Sequence, residues 1–209
     1  LLDVRDRALA EPRPRTGPPG TVTAYDIWPA YVDRVMSFID VSAVRPLKIV
    51  VDAANGMAGA MLSPVLDRLP TVEAVRCFFE PDGSFPNHEP NPLLPENREF
   101  IVRKALDEGA DLGVAFDGDG DRCFFVDDTG EFVPGDFVTA LFAESLLERE
   151  PGAKVIYDVR ASRAVPETIE RAGGVALANR VGHAFIKQRM RKEDAAFAGE
   201  VSGHYYFRD

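Results

Sequence analysis

Leu112-Gly113-Val114-Ala115-Phe116-Asp117-Gly118-Asp119-Gly120-Asp121-Arg122 passes from an apolar run into three carboxylates separated only by glycine. The apolar part reads as a buried strand, and glycine lets the chain turn sharply where that strand ends. Carboxylates at i, i+2 and i+4 put three negative charges on a segment roughly 13–14 Å long when extended. Such crowding calls for a cation. Hard oxygen donors with no His or Cys beside them favour Mg²⁺ or a similar divalent ion over zinc, and Mg²⁺ leaves coordination positions for water or phosphate oxygen. A loop at the carboxyl end of a strand is also where open α/β sheets place their ligands. Phosphate chemistry is the resulting expectation.

Three other readings compete for the same octet. A calcium EF-hand needs glycine at the sixth loop position and glutamate at the twelfth, and those positions hold Arg122 and Asp128. An aspartyl-phosphate phosphatase would use two aspartates one residue apart after a buried strand, Asp117 as nucleophile and Asp119 as acid/base. Spacing alone does not separate that reading from metal binding. The third is a solvated acidic turn, since Gly and Asp are ordinary turn residues.

With 209 residues, 45% apolar and 28% charged, the chain has a globular composition with room for one large or two modest domains. Its formal charge of −10 argues against a nucleic-acid surface, which needs a basic face. No apolar run approaches the roughly 20 residues that span a bilayer, and no leader pattern opens the chain. Cys77 and Cys123 lie in apolar, strand-like runs without zinc or CxxC spacing, so buried reduced thiols and a cytoplasmic location are expected.

Outward from the octet, the pattern alternates. Leu1–Gly20, rich in Arg and Pro and without an initiator Met, reads as a linker from an upstream domain. Ile27, Tyr31, Val35, Phe38 and Ile39 recur at helical spacing, predicting an amphipathic, core-facing helix over Thr23–Asp40 with Asp26 and Pro29 in its first turn. Leu47–Asp52 and Val72–Phe79 read as strands around a helix that begins after Asn55-Gly56. Gly56 and Gly59 lack the spacing of a dinucleotide site and are read as turn and helix-packing residues. Pro81–Asn97 is a long loop with His88 exposed on it. A helix over Glu96–Glu108 ends at Gly109 and leads into the octet. Cys123–Asp127 and Glu131–Val133 form a hairpin around Asp127-Asp128-Thr129-Gly130.

The second unit repeats the plan. Asp136 caps a helix to about Glu150. Strands at Lys154–Tyr157, Val175–Ala178 and Ala195–Ala198 then alternate with helices at Ala164–Ala172 and Ala184–Arg191. Crossover helices imply parallel pairing, so the predicted fold is two consecutive doubly wound mixed α/β sheets with the second truncated, and with exposed apolar surface as a result. Gly199-Glu200-Val201-Ser202-Gly203-His204 reads by itself as a polar turn after a strand. Arg160 follows another strand as a fixed positive charge suited to phosphate. His183 opens a helix, where anions are favoured.

The octet followed by Gly199–His204, with Val51-Asp52-Ala53-Ala54-Asn55-Gly56-Met57-Ala58-Gly59 and Pro90-Asn91-Pro92-Leu93-Leu94-Pro95-Glu96-Asn97, resembles the α-D-phosphohexomutases, in their bacterial phosphomannomutase/phosphoglucomutase branch. The resemblance runs from about Thr21 to the end and covers the middle of such a four-domain enzyme. It implies a metal-binding domain over 21–133 and a partial sugar-binding domain over 134–209. It further implies interconversion of hexose 1-phosphate and 6-phosphate through a hexose 1,6-bisphosphate, with the phosphate-carrying serine and a phosphate-binding loop in missing N- and C-terminal domains. Asp117, Asp119 and Asp121 would then hold Mg²⁺ beside Arg122, and Glu200, Ser202 and His204 would bind the hexose. Arg160 stands where the family usually carries lysine; it would bind phosphate but is a poor proton shuttle. His183, with a reference pKa of about 6.5, is the better proton carrier. The alternatives kept beside this reading are the aspartyl-phosphate phosphatase and a non-catalytic sugar-phosphate-binding fragment.

Overall fold

The computed structural model describes residues 2–10 and 17–208. Within the stretch read as linker, Leu2–Leu9 forms a short helix (α1) with every residue exposed, and residues 11–16 lie outside the described residues. The predicted helix over Thr23–Asp40 is shorter and less buried than expected: α2 spans Trp28–Met36 and buries only Val32. Its start is fixed locally. Asp26 Oδ1 accepts the Trp28 N–H, and Pro29 occupies the first turn, where a missing N–H is harmless. Ile27 and Phe38 fall outside it and are more than half exposed.

The first sheet contains β1 (Leu47–Asp52), β2 (Val72–Cys77), β3 (Leu112–Phe116), β4 (Cys123–Val126) and β5 (Phe132–Val133), in the order β2-β1-β3-β4-β5. β1 pairs in parallel with β2 and β3, joined by crossovers through α3 (Met57–Leu66) and α4 (Glu99–Glu108). The six residues between β3 and β4 are too few for a crossover, so β4 turns back antiparallel and β5 follows it. α4 is preceded by a 3₁₀ turn over Pro95–Arg98, and Gly109 ends it in the left-handed conformation. Ile101 and Ala105 of α4 pack on Val50, Ala115 and Val126 to form this unit's core.

The second sheet repeats the arrangement with β6 (Lys154–Asp158), β7 (Val175–Asn179), β8 (Phe197–Gly199) and β9 (Tyr205–Phe207), in the order β7-β6-β8-β9. β6 pairs in parallel with β7 and β8, and β9 returns antiparallel to β8, a strand that the residue pattern did not reveal. Helices α5 (Gly135–Arg149) and α6 (Ala164–Arg171) cover one face, where Leu147, Val155, Ile169 and Phe197 are buried together. α7 (His183–Glu193) covers the other, with Ile186 and Met190 against Ile156 and Ala198. Asp136 is not the cap of α5: Pro134 is, and Asp136 lies in the first turn, accepting the Phe137 N–H and, from across the unit, the Ser162 N–H. The expected exposed apolar surface is present at Leu141 and Phe207.

In both units the third parallel strand ends in a hairpin. The loop 117–122 joins β3 to β4, and the turn 200–204 joins β8 to β9, so the two polar motifs occupy equivalent places in two copies of one topology.

Candidate active site

Asp117 leaves β3 almost fully buried, and its carboxylate organises the loop after it. Oδ1 accepts the N–H groups of Gly120 and Arg122, and Oδ2 accepts Arg122 Nε at 2.5 Å. The loop is thereby folded back on its first residue. One oxygen from each of Asp117, Asp119 and Asp121 then falls within 4.8 Å of the others. Asp119 and Asp121 are exposed. Lost hydration, then the charges of Asp117 and Asp121, push the Asp119 carboxyl above the ordinary carboxylate range. Three hard oxygens converging from one buried and two exposed carboxylates suit a hydrated divalent cation such as Mg²⁺, with the exposed side left for further ligands.

The long loop after β2 supports this turn from behind. A Cβ on Gly118 would lie 3.3 Å from Phe85 Cζ and from Pro90 Cγ, and Asn91 Oδ1 lies 3.4 Å from Arg122 Nη1. A Cβ on Gly56 would come within 2.5 Å of the Gly118 carbonyl, which accepts the Met57 N–H, so glycine there allows the start of α3 to seat against the aspartate loop. His88 is not exposed as expected. Nε2 is 2.9 Å from Oδ2 of buried Asp52 and Nδ1 is 2.9 Å from the Glu89 carbonyl, with the side chain 14% exposed. Both ring nitrogens face acceptors, and the Asp52 hydrogen bond outweighs burial to raise the imidazolium pKa above its usual value.

In the second unit Glu200, Ser202 and His204 lie on one tight hairpin. The His204 carbonyl accepts the Glu200 N–H, and Gly203 takes φ +84°. Glu200 is buried: Oε1 accepts the Gly182 N–H at the start of α7, and Oε2 accepts the Tyr206 hydroxyl at 2.7 Å and lies 3.3 Å from His204 Nδ1. Ser202 Oγ is 3.0 Å from the same Nδ1. At the end of β6 the fully buried Asp158 holds Arg160 through its Nε and Nη2, and also accepts the N–H groups of Arg160 and Val201.

The two motifs meet. The Cys123 N–H donates to the Gly203 carbonyl at 3.0 Å, and His204 Nε2 is 3.2 Å from Asp121 Oδ1. Arg122 contacts Asp117, and Glu200 and Ser202 both contact His204, which reaches Asp121, while the three aspartates are brought within 4.8 Å by the loop; Arg160 connects to the turn through Asp158 and Val201. His183 is exposed at the first position of α7, next in the chain to Gly182, whose N–H donates to Glu200, and its own side chain is not brought into this network among the described contacts. Tyr206 and Asp158, which no motif singled out, complete it. Cys77 and Cys123 are both free thiols, with Cys123 pushed up to about 12 by burial. No helix among the described residues is long and apolar enough to cross a membrane.

The chain as a whole is similar to known proteins. Residues 29–130 match the family model "Phosphoglucomutase/phosphomannomutase, alpha/beta/alpha domain II", and residues 134–209 match that for domain III. A "Phosphohexose mutases" protein of Xanthomonas campestris is 44% identical over the whole chain, and an Escherichia coli K12 phosphomannomutase is 46% identical over 86% of it. The chain spans 46% and 40% of the lengths of these relatives. The crystal structure of a phosphoglucomutase/phosphomannomutase family protein from Burkholderia thailandensis superposes over 88% of the chain with a TM-score of 0.81 at 40% identity, using 40% of its own length. Repeated α/β topology, the aspartate loop and the turn at its side therefore place this chain in the α-D-phosphohexomutase family, of which it carries α/β/α domains II and III.

Proposed function

We propose that this chain supplies the Mg²⁺ loop and the sugar-binding turn of a phosphomannomutase/phosphoglucomutase, which moves phosphate between O1 and O6 of a hexose by way of a hexose 1,6-bisphosphate. The observation that carries this reading is the meeting of the two hairpins: the aspartate triad of residues 21–133 touches the polar turn of residues 134–209 through His204 and Asp121. A phosphoryl group near the triad and a hexose on the turn would lie side by side.

Bound at Asp117, Asp119 and Asp121, Mg²⁺ would supply charge neutralisation for the transferring phosphoryl group. Arg122, anchored on Asp117 through Nε, presents a fixed positive charge beside it. Ser202 and His204 offer donors and acceptors to sugar hydroxyls, with Glu200 behind them as acceptor and as the residue that orients His204. Arg160 holds the substrate phosphate. His183, exposed at the head of α7, is the group that moves a proton. The transferable phosphate comes from a serine outside these 209 residues, in a cytoplasmic enzyme whose other domains close the site.

Asp117 bears on the phosphatase alternative. Both of its oxygens are engaged by Arg122 and backbone N–H groups and it is 1% exposed, an arrangement suited to a structural ligand and poor for a nucleophile. The test is a ³¹P NMR time course of the full-length protein with mannose 1-phosphate, Mg²⁺ and a trace of hexose bisphosphate, beside this chain alone. Conversion to the 6-phosphate by the full-length protein and none by the chain is expected. Inorganic phosphate released by the chain alone would make Asp117 a nucleophile and overturn the reading.

A further inference from the structure

Asp158 ends β6, an internal strand of the second sheet, and is completely buried. Burial alone would raise its carboxyl, but hydrogen bonds from the Arg160 side chain, the Val201 N–H and the Arg160 N–H outweigh it and leave the group ionised at lower pH than usual. Each oxygen serves two donors. Oδ1 takes the Arg160 N–H at 2.7 Å and Arg160 Nε at 3.1 Å; Oδ2 takes Arg160 Nη2 and the Val201 N–H, both at 2.8 Å. Val201 lies between Glu200 and Ser202 in the hairpin turn. One carboxylate therefore grips both the guanidinium after β6 and the backbone of the turn after β8.

We infer that Asp158 is a positioning residue that fixes the Arg160 guanidinium relative to the 200–204 turn, so that phosphate anchor and sugar turn are held at one spacing before substrate arrives. The inference rests on the reading of Arg160 and the turn as substrate-binding.

The chemistry of the fork supports it. Arg160 is nearly half exposed, and an exposed Arg side chain samples many rotamers that binding must freeze. Nε and Nη2 are both committed to Asp158, which leaves Nη1 and the outer N–H of Nη2 to face a ligand in a fixed plane. The cost is partial neutralisation of the anchor's charge. A site that needed only affinity would do better without Asp158; a site that must place phosphate and hexose hydroxyls together gains from it.

The experiment uses the full-length enzyme with Asp158→Asn, Arg160→Met and the double variant. Readouts are the KM and kcat for hexose 1-phosphate, inhibition by inorganic phosphate, and the thermal midpoint. An amide keeps one acceptor and turns its NH₂ on a donor, so Asp158→Asn is expected to raise KM about tenfold, the loss of a charge-assisted hydrogen bond. Inhibition by inorganic phosphate, which has no sugar to align, should change less than threefold. In the Arg160→Met background the same substitution should raise KM less than threefold. Equal effects in both backgrounds, or equal effects on hexose phosphate and inorganic phosphate, overturn the inference. If the wild-type enzyme does not use hexose phosphate at all, the functional reading fails first, and the two failures are distinct.

Should Asp158→Asn not fold, ¹⁵N-arginine labelling of the wild-type protein decides. The Arg160 Nε–H signal, identified by its loss in Arg160→Met, is expected to be sharp and slow to exchange without substrate. A fast-exchanging, averaged signal overturns the inference.

Discussion

His204 Nε2 lies 3.2 Å from Asp121 Oδ1, so a residue of the second unit's turn rests on an outer carboxylate of the first unit's aspartate triad. The imidazole is itself set by Ser202 and Glu200 on its other nitrogen. Any event that reorders the triad is therefore felt by the turn, and the reverse.

Cation binding should appear as stability. The three aspartates repel one another, and the crowding already raises the Asp119 carboxyl. Mg²⁺ at a hundred times its dissociation constant adds about 2.7 kcal/mol. For a domain of this size that is a rise of about 5–10 °C in the thermal midpoint, reversed by EDTA. Asp119→Asn relieves repulsion, so its metal-free midpoint should equal or exceed that of the wild type while the Mg²⁺ response disappears. A response that survives Asp119→Asn would place the cation elsewhere.

Gly203 is the point at which the two hairpins touch. Its φ of +84° is strained for any side chain, and a Cβ there would lie 2.6 Å from Cζ of Phe124, a ring too buried to move aside. Gly203→Ala combines left-handed strain with overpacking, a loss of about 2–4 kcal/mol. Urea unfolding measures it. The Cys123 amide, which donates to the Gly203 carbonyl, should lose protection from hydrogen exchange in the same variant.

The clustering of the aspartate triad is legible in the sequence because its carboxylates are neighbours on one turn, and the alternation of strand and helix patterns carries the doubly wound plan. What stayed hidden depends on partners far apart in the chain. His88 meets Asp52 across 36 residues, and nothing near His88 marks it as paired. Asp158 meets the Val201 N–H across 43 residues, and a backbone donor leaves no mark in the residue pattern; Tyr206, only six residues from Glu200, is hidden instead by the shortness of the strand that carries it. β9 leaves no pattern in the sequence because three residues are too few for a period, and α2 is shorter than its spacing predicts because Ile27 and Phe38 mimic that spacing without joining its buried face.

The Asp52–His88 pair gives stability a defined pH dependence. The histidine's folded pKa is raised above its unfolded value of about 6.5, so its contribution is complete below that pH and is lost as pH rises through the folded value. His88→Asn should cost about 1–3 kcal/mol at pH 6 and progressively less in alkaline buffer. Thermal midpoints of both proteins between pH 5.5 and pH 9 should converge as pH increases. Curves that run parallel would mean that His88 is neutral throughout. Cys77, whose thiol burial and the Asp52 charge push up, stays protonated through most of this range and leaves the comparison clean.

Tyr206 and Ser202 separate holding the turn from using it. The Tyr206 hydroxyl donates to Glu200 at 2.7 Å, and burial followed by that hydrogen bond raises its own pKa strongly, so it remains a donor across the working range. Tyr206→Phe removes a hydrogen bond to a buried charge and should cost about 1.5–3 kcal/mol in urea unfolding. With one donor fewer, the Glu200 carboxylate is held, among the described residues, by the Gly182 N–H and His204, so the turn loosens and KM rises together with the stability loss. Ser202 is partly exposed, and among the described residues its hydroxyl bonds the imidazole beside it. Ser202→Ala should therefore change stability by less than about 0.5 kcal/mol while still raising KM. If Ser202→Ala destabilises as much as Tyr206→Phe, the serine belongs to the scaffold of the turn and the surface offered to the hexose must be sought among other residues.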